Sequence, residues 1–242
     1  SEGAIYSSVD GENWERRSSP TTSNLADVAY GGGSFVAVGR NGVIVYSQDG
    51  VNWTTAQANG ADDRFSVAFG NGRFVTNGRG GLFLSEDGGA SWSRANAPVN
   101  IFSTVAFGRG TFVIGGGTPG TVVLSPDGEN WETIPVPTQA TVDFVAYVNG
   151  KFLVLTQYGD VLVSTDGRNW ETAFNPGQDP IAIRHVNNRC YLLLEGPRIT
   201  RIASSPDGIS WTLHDQSIPG VITALAYGSN RYVAVGRDGA LY

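Results

Sequence analysis

Cysteine, methionine and charged residues are scarce in this chain of 242 residues. Cys190 is the only cysteine, so no disulfide can form within the chain, and neither a reducing nor an oxidising compartment is required. The sequence has no methionine, not even at position 1, and no signal peptide, which predicts a processed or excised piece. Charged residues make up only 16% of the chain, which favours a β-rich, sparingly charged surface.

Basic character, long apolar runs and metal-ligand patterns are missing as well. The net charge of -6 argues against nucleic acid or an anionic membrane as the main partner. The longest apolar runs, such as residues 191–194, fall far short of the roughly 20 residues that span a bilayer. His185 and His214 are the only histidines and have no second ligand at metal-binding spacing. The sequence therefore predicts no metal, no cofactor and no membrane insertion.

The chain does contain a repeated segment that ends in tryptophan. A Ser-x-Asp-Gly motif leads to each of the six tryptophans, at residues 8–14, 47–53, 85–92, 125–131, 164–170 and 205–211. The spacing from one tryptophan to the next is 39, 39, 39, 39 and 41 residues. A period of this size predicts a propeller or a solenoid. Each indole is expected to bury about 150–250 Å² and so to anchor its repeat.

Residues 25–56 illustrate one repeat. Three short runs of Val, Ala, Phe, Tyr and Ile are each bounded by Gly, Asn or Asp, and a fourth segment follows the tryptophan. Four antiparallel strands, here called A to D, are the content of a propeller blade. The prediction is an all-β, six-bladed β-propeller forming one domain over residues 1–242. Its blades are expected at residues 25–56, 64–95, 101–134, 142–173, 181–214, and 222–242 together with 3–17.

The sixth repeat is split between the two ends of the chain. Shared N- and C-terminal strands would complete one blade, close the ring and leave no free sheet edge, as expected for a monomer. Residues 240–242 resemble residues 4–6, so the sequence leaves open how the closing blade is shared.

The motif has the chemistry of a tight turn. Ser and Asp side chains accept hydrogen bonds from turn amides, and Gly adopts a positive φ without a Cβ clash. We therefore interpret the six aspartates as structural turn residues rather than calcium ligands or catalytic groups. They are Asp10, Asp49, Asp87, Asp127, Asp166 and Asp207.

The motif resembles the Asp-box, or BNR repeat, with the pattern S-x-D-x-G-x-x-W. Residues 85–92 match it in full, and the other five copies lack one residue between Asp and Trp, a short form similar to that of bacterial BNR-like repeats. The resemblance implies a propeller of the sialidase-like fold superfamily, as a non-catalytic bacterial member, with the box turns away from the active face. Abundant Thr, Ser, Asn and Gly with little Cys adds the expectation of an extracellular or cell-surface protein.

The B–C and D–A loops differ most between copies, which predicts that they form the ligand-binding rim. Arg40, Arg79 and Arg237 follow strand B in three consecutive blades, and an arc of guanidinium groups can hold a carboxylate, sulfate or phosphate. Alternatively, duplication simply copied a solvated arginine. Further residues on this rim are Asp62, Asp63, Arg64, Tyr158, Asp160, Glu195, Arg198 and Arg201, of which Tyr158, Glu195 and Arg198 join the ligand-binding candidates.

Three functions fit the sequence. The first is a non-enzymatic binding or scaffold module that recognises a glycan or a protein through this rim. The second is a sialidase-like glycoside hydrolase or lyase with Tyr158 and Glu195 as catalytic candidates, because sialidases use Tyr with a carboxylate. Against it, the chain lacks the F/Y-R-I-P segment and the long insertions of sialidases. The third is an engineered or recently amplified repeat protein without a natural ligand.

Overall fold

The computed structural model describes residues 3–58, 60–97, 103–196, 199–228 and 231–236. Regular structure in these ranges is β, apart from one turn of 3-10 helix over Arg40–Gly42. The prediction of an all-β chain is confirmed. No helix in the described ranges has the length and apolar character needed to cross a bilayer.

Five four-stranded antiparallel sheets follow one another along the chain, each with its strands in sequential order. The first sheet contains β3 (Leu25–Gly31), β4 (Ser34–Gly39), β5 (Ile44–Ser47) and β6 (Thr54–Thr55). The second contains β7 (Arg64–Gly70), β8 (Arg73–Gly78), β9 (Gly81–Ser85) and β10 (Ser93–Arg94), and the third β11 (Val105–Gly108), β12 (Thr111–Gly115), β13 (Thr121–Ser125) and β14 (Glu132–Pro135). The fourth contains β15 (Val142–Val148), β16 (Lys151–Thr156), β17 (Val161–Ser164) and β18 (Glu171–Phe174), and the fifth β19 (Pro180–Val186), β20 (Arg189–Gly196), β21 (Ile199–Ser205) and β22 (Thr212–Pro219).

Two strand pairs lie at the ends of the chain. β1 (Ile5–Ser7) pairs with β2 (Glu15–Arg17), and β23 (Ile222–Gly228) pairs with β24 (Arg231–Gly236). The chain forms two compact units, one of residues 1–118 and 122–134, the other of residues 119–121 and 135–242. The four-strand content of the repeat is therefore confirmed for five repeats. Six blades and a closed ring stay predictions.

The hydrophobic cores lie between consecutive sheets. In the first unit, Val36 on strand B of the first sheet shares a buried cluster with Val67 on strand A of the second. In the second unit, Leu153 and Ile183 occupy the same positions in the cluster between the fourth and fifth sheets. Within each unit, these neighbouring sheets thus bury apolar side chains against each other, because one sheet alone cannot bury both of its faces.

The A–B hairpins turn through two residues with positive φ. Asn71 and Gly72 have φ of 47° and 79°, the conformation of the tight hairpin turns that match the twist of the strands. In the fifth sheet Asn187 and Asn188 take φ of 50° and 57°. Asparagine tolerates this region better than most residues, so the turn survives there without glycine.

The expectation that every tryptophan anchors its repeat is wrong at the N-terminus. Trp92 is buried, but 60% of the surface of Trp14 is exposed. Trp53 and Trp131 each pack near a strand-B aromatic ring, with centroids 6.4 Å from Phe35 and Phe112, respectively. Trp14 directly precedes β2, and among the described residues β2 pairs only with β1.

Candidate functional site

The six box turns share one hydrogen-bond pattern, which the third sheet illustrates. Ser125 Oγ donates to Asp127 Oδ1 at 2.8 Å, and the Asn130 backbone N–H donates to the same oxygen at 2.9 Å. The Asn130 side-chain amide donates to Asp127 Oδ2 at 3.0 Å, and the Trp131 indole N–H donates to Gly128 O at 2.9 Å. The carboxylate thus satisfies amides of its own turn, which is the geometry expected of a structural turn residue.

These contacts lower the pKa of the box aspartates. For Asp49 the backbone N–H of Asn52 is the main cause, followed by the Asn52 side-chain amide. For Asp207 the backbone N–H groups of Ser210 and Ile209 lower the pKa to about 2. Hydrogen bonds to the charged form stabilise it relative to the neutral acid.

Replacing Asp207 with Asn is expected to cost stability at neutral pH but little in acid. The folded pKa lies below the unfolded one, so the contribution of the charged carboxylate is present above about pH 4 and is lost as the pH falls through about 2. Because charge-assisted hydrogen bonds become neutral ones, we expect a loss of about 1 kcal/mol at neutral pH. Urea unfolding of both proteins at neutral and acidic pH measures the difference, and a gap that does not narrow in acid would contradict the assignment.

Two of the predicted arginines flank one loop in the first unit. Arg40 begins the 3-10 turn after β4, and Arg79 follows β8, and both side chains are exposed. The carboxylate of Asp63 accepts the Asn41 backbone N–H at 2.9 Å, while the Asp63 carbonyl accepts the Arg79 backbone N–H at 3.1 Å. One residue of the D–A loop therefore joins the two arginine-bearing turns of adjacent sheets.

The backbone of this rim approaches closely enough to require glycine at one position. A Cβ on Gly42 would lie 2.3 Å from the carbonyl oxygen of Gly60, and φ at Gly42 is +70°. The turn after β4, which carries Arg40, therefore lies directly against the D–A loop.

Arg64 was expected among the exposed residues of this rim, and that expectation is wrong. It is 1% exposed, and its guanidinium carbon lies 3.7 Å from the centre of the Phe83 ring. Burial lowers the pKa of Arg64, and nearby Asp62 acts in the opposite direction. The aromatic face compensates for part of the lost hydration of the cation. Arg64 therefore supports the loop from below and presents no charge to a ligand.

The other candidates lie in the second unit or outside the described residues. Arg237 and Arg198 are outside the described ranges. Tyr158 lies exposed in the turn between β16 and β17, and Glu195 lies exposed on β20. Within the described part of the chain, no hydrogen bond or ion pair joins these two side chains.

Asp160 on the same rim is engaged internally. It accepts the Asn175 side-chain amide at 2.6 Å and the Thr138 hydroxyl at 3.2 Å. Its carboxylate therefore ties the loops before and after the fourth sheet together, so a ligand would have to displace these contacts.

Cys190 and the histidines are the other reactive side chains that the sequence singles out. No cluster of three or more His, Cys, Asp or Glu is arranged to hold a metal ion in those ranges. Cys190 is buried, and burial raises the pKa of its thiol to about 11. His214 Nε2 lies 2.9 Å from Ser204 Oγ, but this pair lacks a third member to orient the imidazole in the described structure.

No family model and no curated protein sequence matches the chain. Solved structures do match. The structure described as YCF48 bound to D1 peptide has a TM-score of 0.69 at 16% identity, covering 96% of this chain and 81% of that one. The computationally designed Ika8 protein gives 0.69 at 13% identity over 100% and 80%. The WD40 β-propeller domain of Doa1 gives 0.65 at 16% identity over 99% and 85%.

This chain has a β-propeller fold. At these identities the likeness extends to the fold alone, and the Asp-box family and its sialidase-like superfamily remain a resemblance carried by the motif. The D–A loop contact between the two arginine-bearing turns was not foreseen, because Asp63 stands out in the sequence only as one of two adjacent aspartates.

Proposed function

We propose that the protein is a non-enzymatic propeller module that binds a protein segment through the rim bearing Arg40 and Arg79. The proposal rests on Asp63, which joins the turns that carry both arginines. The Asp63 carboxylate accepts a backbone N–H from the first turn, and both arginines are exposed to solvent. Arginines on adjacent, joined turns can hold carboxylates with paired hydrogen bonds.

A protein ligand is favoured over a glycan by this chemistry. Guanidinium groups match the carboxylates of an acidic peptide segment, whereas binding of neutral sugars relies on aromatic platforms and neutral hydrogen-bonding groups. Among the described rim residues of the first unit, the exposed side chains that stand out are charged. Of the similar structures, one is YCF48 with a bound D1 peptide, which shows a propeller with a peptide ligand.

Replacing both Arg40 and Arg79 with Glu is expected to weaken peptide binding strongly. An array of synthetic peptides that differ in Asp and Glu content, run beside a glycan array, identifies the ligand class, and titration of the best peptide gives the affinity. Loss of two charge-assisted contacts predicts a decrease of about 100-fold or more, because each contributes about 1.5–3 kcal/mol. The single variants Arg40→Glu and Arg79→Glu are also measured, and Arg16→Glu, which makes the same charge change as either of them on exposed strand β2, is the matched control. Glycan binding alone, or equal loss in the control, would contradict the proposal.

We further propose that the two terminal strand pairs form a sixth blade in a monomer. At strand A, 58% of Val28 in the first sheet is exposed, but only 5% of Val67 at the same position in the second sheet. At strand B, 43% of Val233 on β24 is exposed, whereas Val36 on β4 is fully buried. Val36 on strand B of the first sheet and Val67 on strand A of the second share one buried cluster. By the same arrangement, we expect Val233 of the sixth blade to pack against Val28 of the first sheet.

A further inference from the structure

A cleft of about 300 Å³ lies in the second unit, at the end of the fourth sheet that carries the A–B and C–D turns. Lys151, Thr165, Trp170 and Glu171 from the fourth sheet line it, together with Ile209 from the box of the fifth sheet. None of these residues belongs to the arginine rim described above.

The first unit has an equivalent place between its second and third sheets, where the start of strand B lies beside the box turn of the next sheet. We call this place a crossing, and in the first unit two charged side chains occupy it. Arg73, the first residue after the A–B turn, donates from Nη1 to Asp127 O in the next box at 2.7 Å. Its Nη2 lies 2.6 Å from Glu86 Oε1, so the cation also has a carboxylate partner from the box of its own sheet.

Lys151 occupies the position of Arg73, and Thr165 occupies the position of Glu86. Lys151 Nζ donates to Asp207 O at 3.2 Å, as Arg73 does to Asp127 O. Among the described residues Lys151 has no ion-pair partner, and an ammonium group has three donors. A carboxylate that the fold provides at one crossing is therefore missing at the other, and a cleft adjoins the free donors.

The walls of the cleft have an apolar part. Ile209 is exposed and takes the position that Glu129 has in the third sheet. Trp170 is half-buried, and its indole N–H donates to Gly167 O at 2.8 Å. Because that donor is occupied, the exposed part of the ring offers only apolar surface to a ligand.

We propose that the Lys151 cleft binds a carboxylate attached to an apolar group. The carboxylate takes the place that Glu86 has beside Arg73, and the apolar group packs on Trp170 and Ile209. Glu171 also lines the cleft, and its charge opposes any carboxylate that is not paired with Lys151, so the ligand carries a single negative charge placed at the ammonium group. A small aryl carboxylic acid and a Glu side chain next to aromatic residues in a peptide both have this chemistry.

The test uses the full chain and three probes: 3-phenylpropionate, 3-phenylpropan-1-ol, and a capped Phe-Glu-Phe peptide. Titrations are followed by the NMR signal of the Trp170 indole N–H. We expect one or both carboxylate probes to shift this signal, and the alcohol to bind at least about tenfold more weakly because it lacks the charge-assisted contact. The probe that binds more tightly identifies the source of the carboxylate.

Two variants locate the charge. Thr165→Glu supplies the missing carboxylate and is expected to reduce probe affinity by about tenfold or more. Lys151→Gln keeps a donor for Asp207 O but removes the positive charge, and we expect the same loss of affinity. If Thr165→Glu does not fold, Lys151→Gln alone decides. Glu86→Thr at the filled crossing is the matched control and leaves the affinity unchanged, as does the Arg40→Glu/Arg79→Glu variant, so this proposal and the rim proposal fail separately. Equal binding of acid and alcohol, or full binding by Lys151→Gln, would overturn it.

Discussion

Gly70→Ala is expected to destabilise the protein by about 2–3 kcal/mol, although it adds a single methyl group. A Cβ at Gly70 would lie 2.1 Å from Cδ2 of Phe107 on the next sheet, closer than any van der Waals contact allows. The Phe107 ring cannot move away freely, because its centre lies 4.7 Å from that of Phe112, which is fully buried. Urea unfolding monitored by tryptophan fluorescence measures the loss.

Two further variants separate steric overlap from backbone strain. Gly72 in the same hairpin has φ of 79°, and no atom lies within 4 Å of an added Cβ, so Gly72→Ala reports strain alone and is expected to cost about 1–2 kcal/mol. Combining Gly70→Ala with Phe107→Ala removes the clash. The double variant is therefore expected to be about as stable as Phe107→Ala alone. Additive losses would show that Gly70 is needed for another reason.

A disulfide between positions 6 and 234 is expected to form within one chain and to raise stability by about 5 kcal/mol. In the first sheet Ala37 on strand B is the Cα partner of Val45 on strand C. Ala234 and Tyr6 take these positions in the proposed sixth blade, and the spacing of paired antiparallel strands suits a disulfide. The bond would enclose nearly the whole chain, which maximises the entropy removed from the unfolded state.

The double variant Tyr6→Cys/Ala234→Cys is compared on non-reducing gels and by urea unfolding with and without reductant. Cys190 stays in place, because it is buried and the raised pKa of its thiol leaves little thiolate to exchange. Tyr6→Cys/Val233→Cys, shifted by one residue, places the second thiol on the opposite face and is expected not to cross-link. Dimers cross-linked between chains, or no bond at all, would contradict closure of the ring within a monomer.

Local features of this protein were predictable from its sequence because their partners are close along the chain. The box aspartates accept hydrogen bonds from residues two and three positions away, so the S-x-D-G spacing already determines the geometry. The Asn-Gly hairpins and the short apolar runs likewise carry their own signals. The period of 39 residues then predicted that each unit of four strands recurs.

Contacts between side chains that are far apart in the chain were not predictable, because the repeated motif does not say which side chains meet in space. Trp14 and Trp92 end nearly the same motif, yet one is exposed and the other buried, since the surrounding strands differ. Arg64 looks like a rim arginine until Phe83 is seen beneath it. Lys151 and Arg73 take the same position, yet only Arg73 pairs with a carboxylate, because Thr165 replaces Glu86 in the fourth sheet. That replacement gains its meaning only when the structure shows that the two turns lie side by side. Burial and charge pairing depend on packing between segments that are distant in the chain. The repeated motif does not specify that packing, and only the tertiary structure decides it.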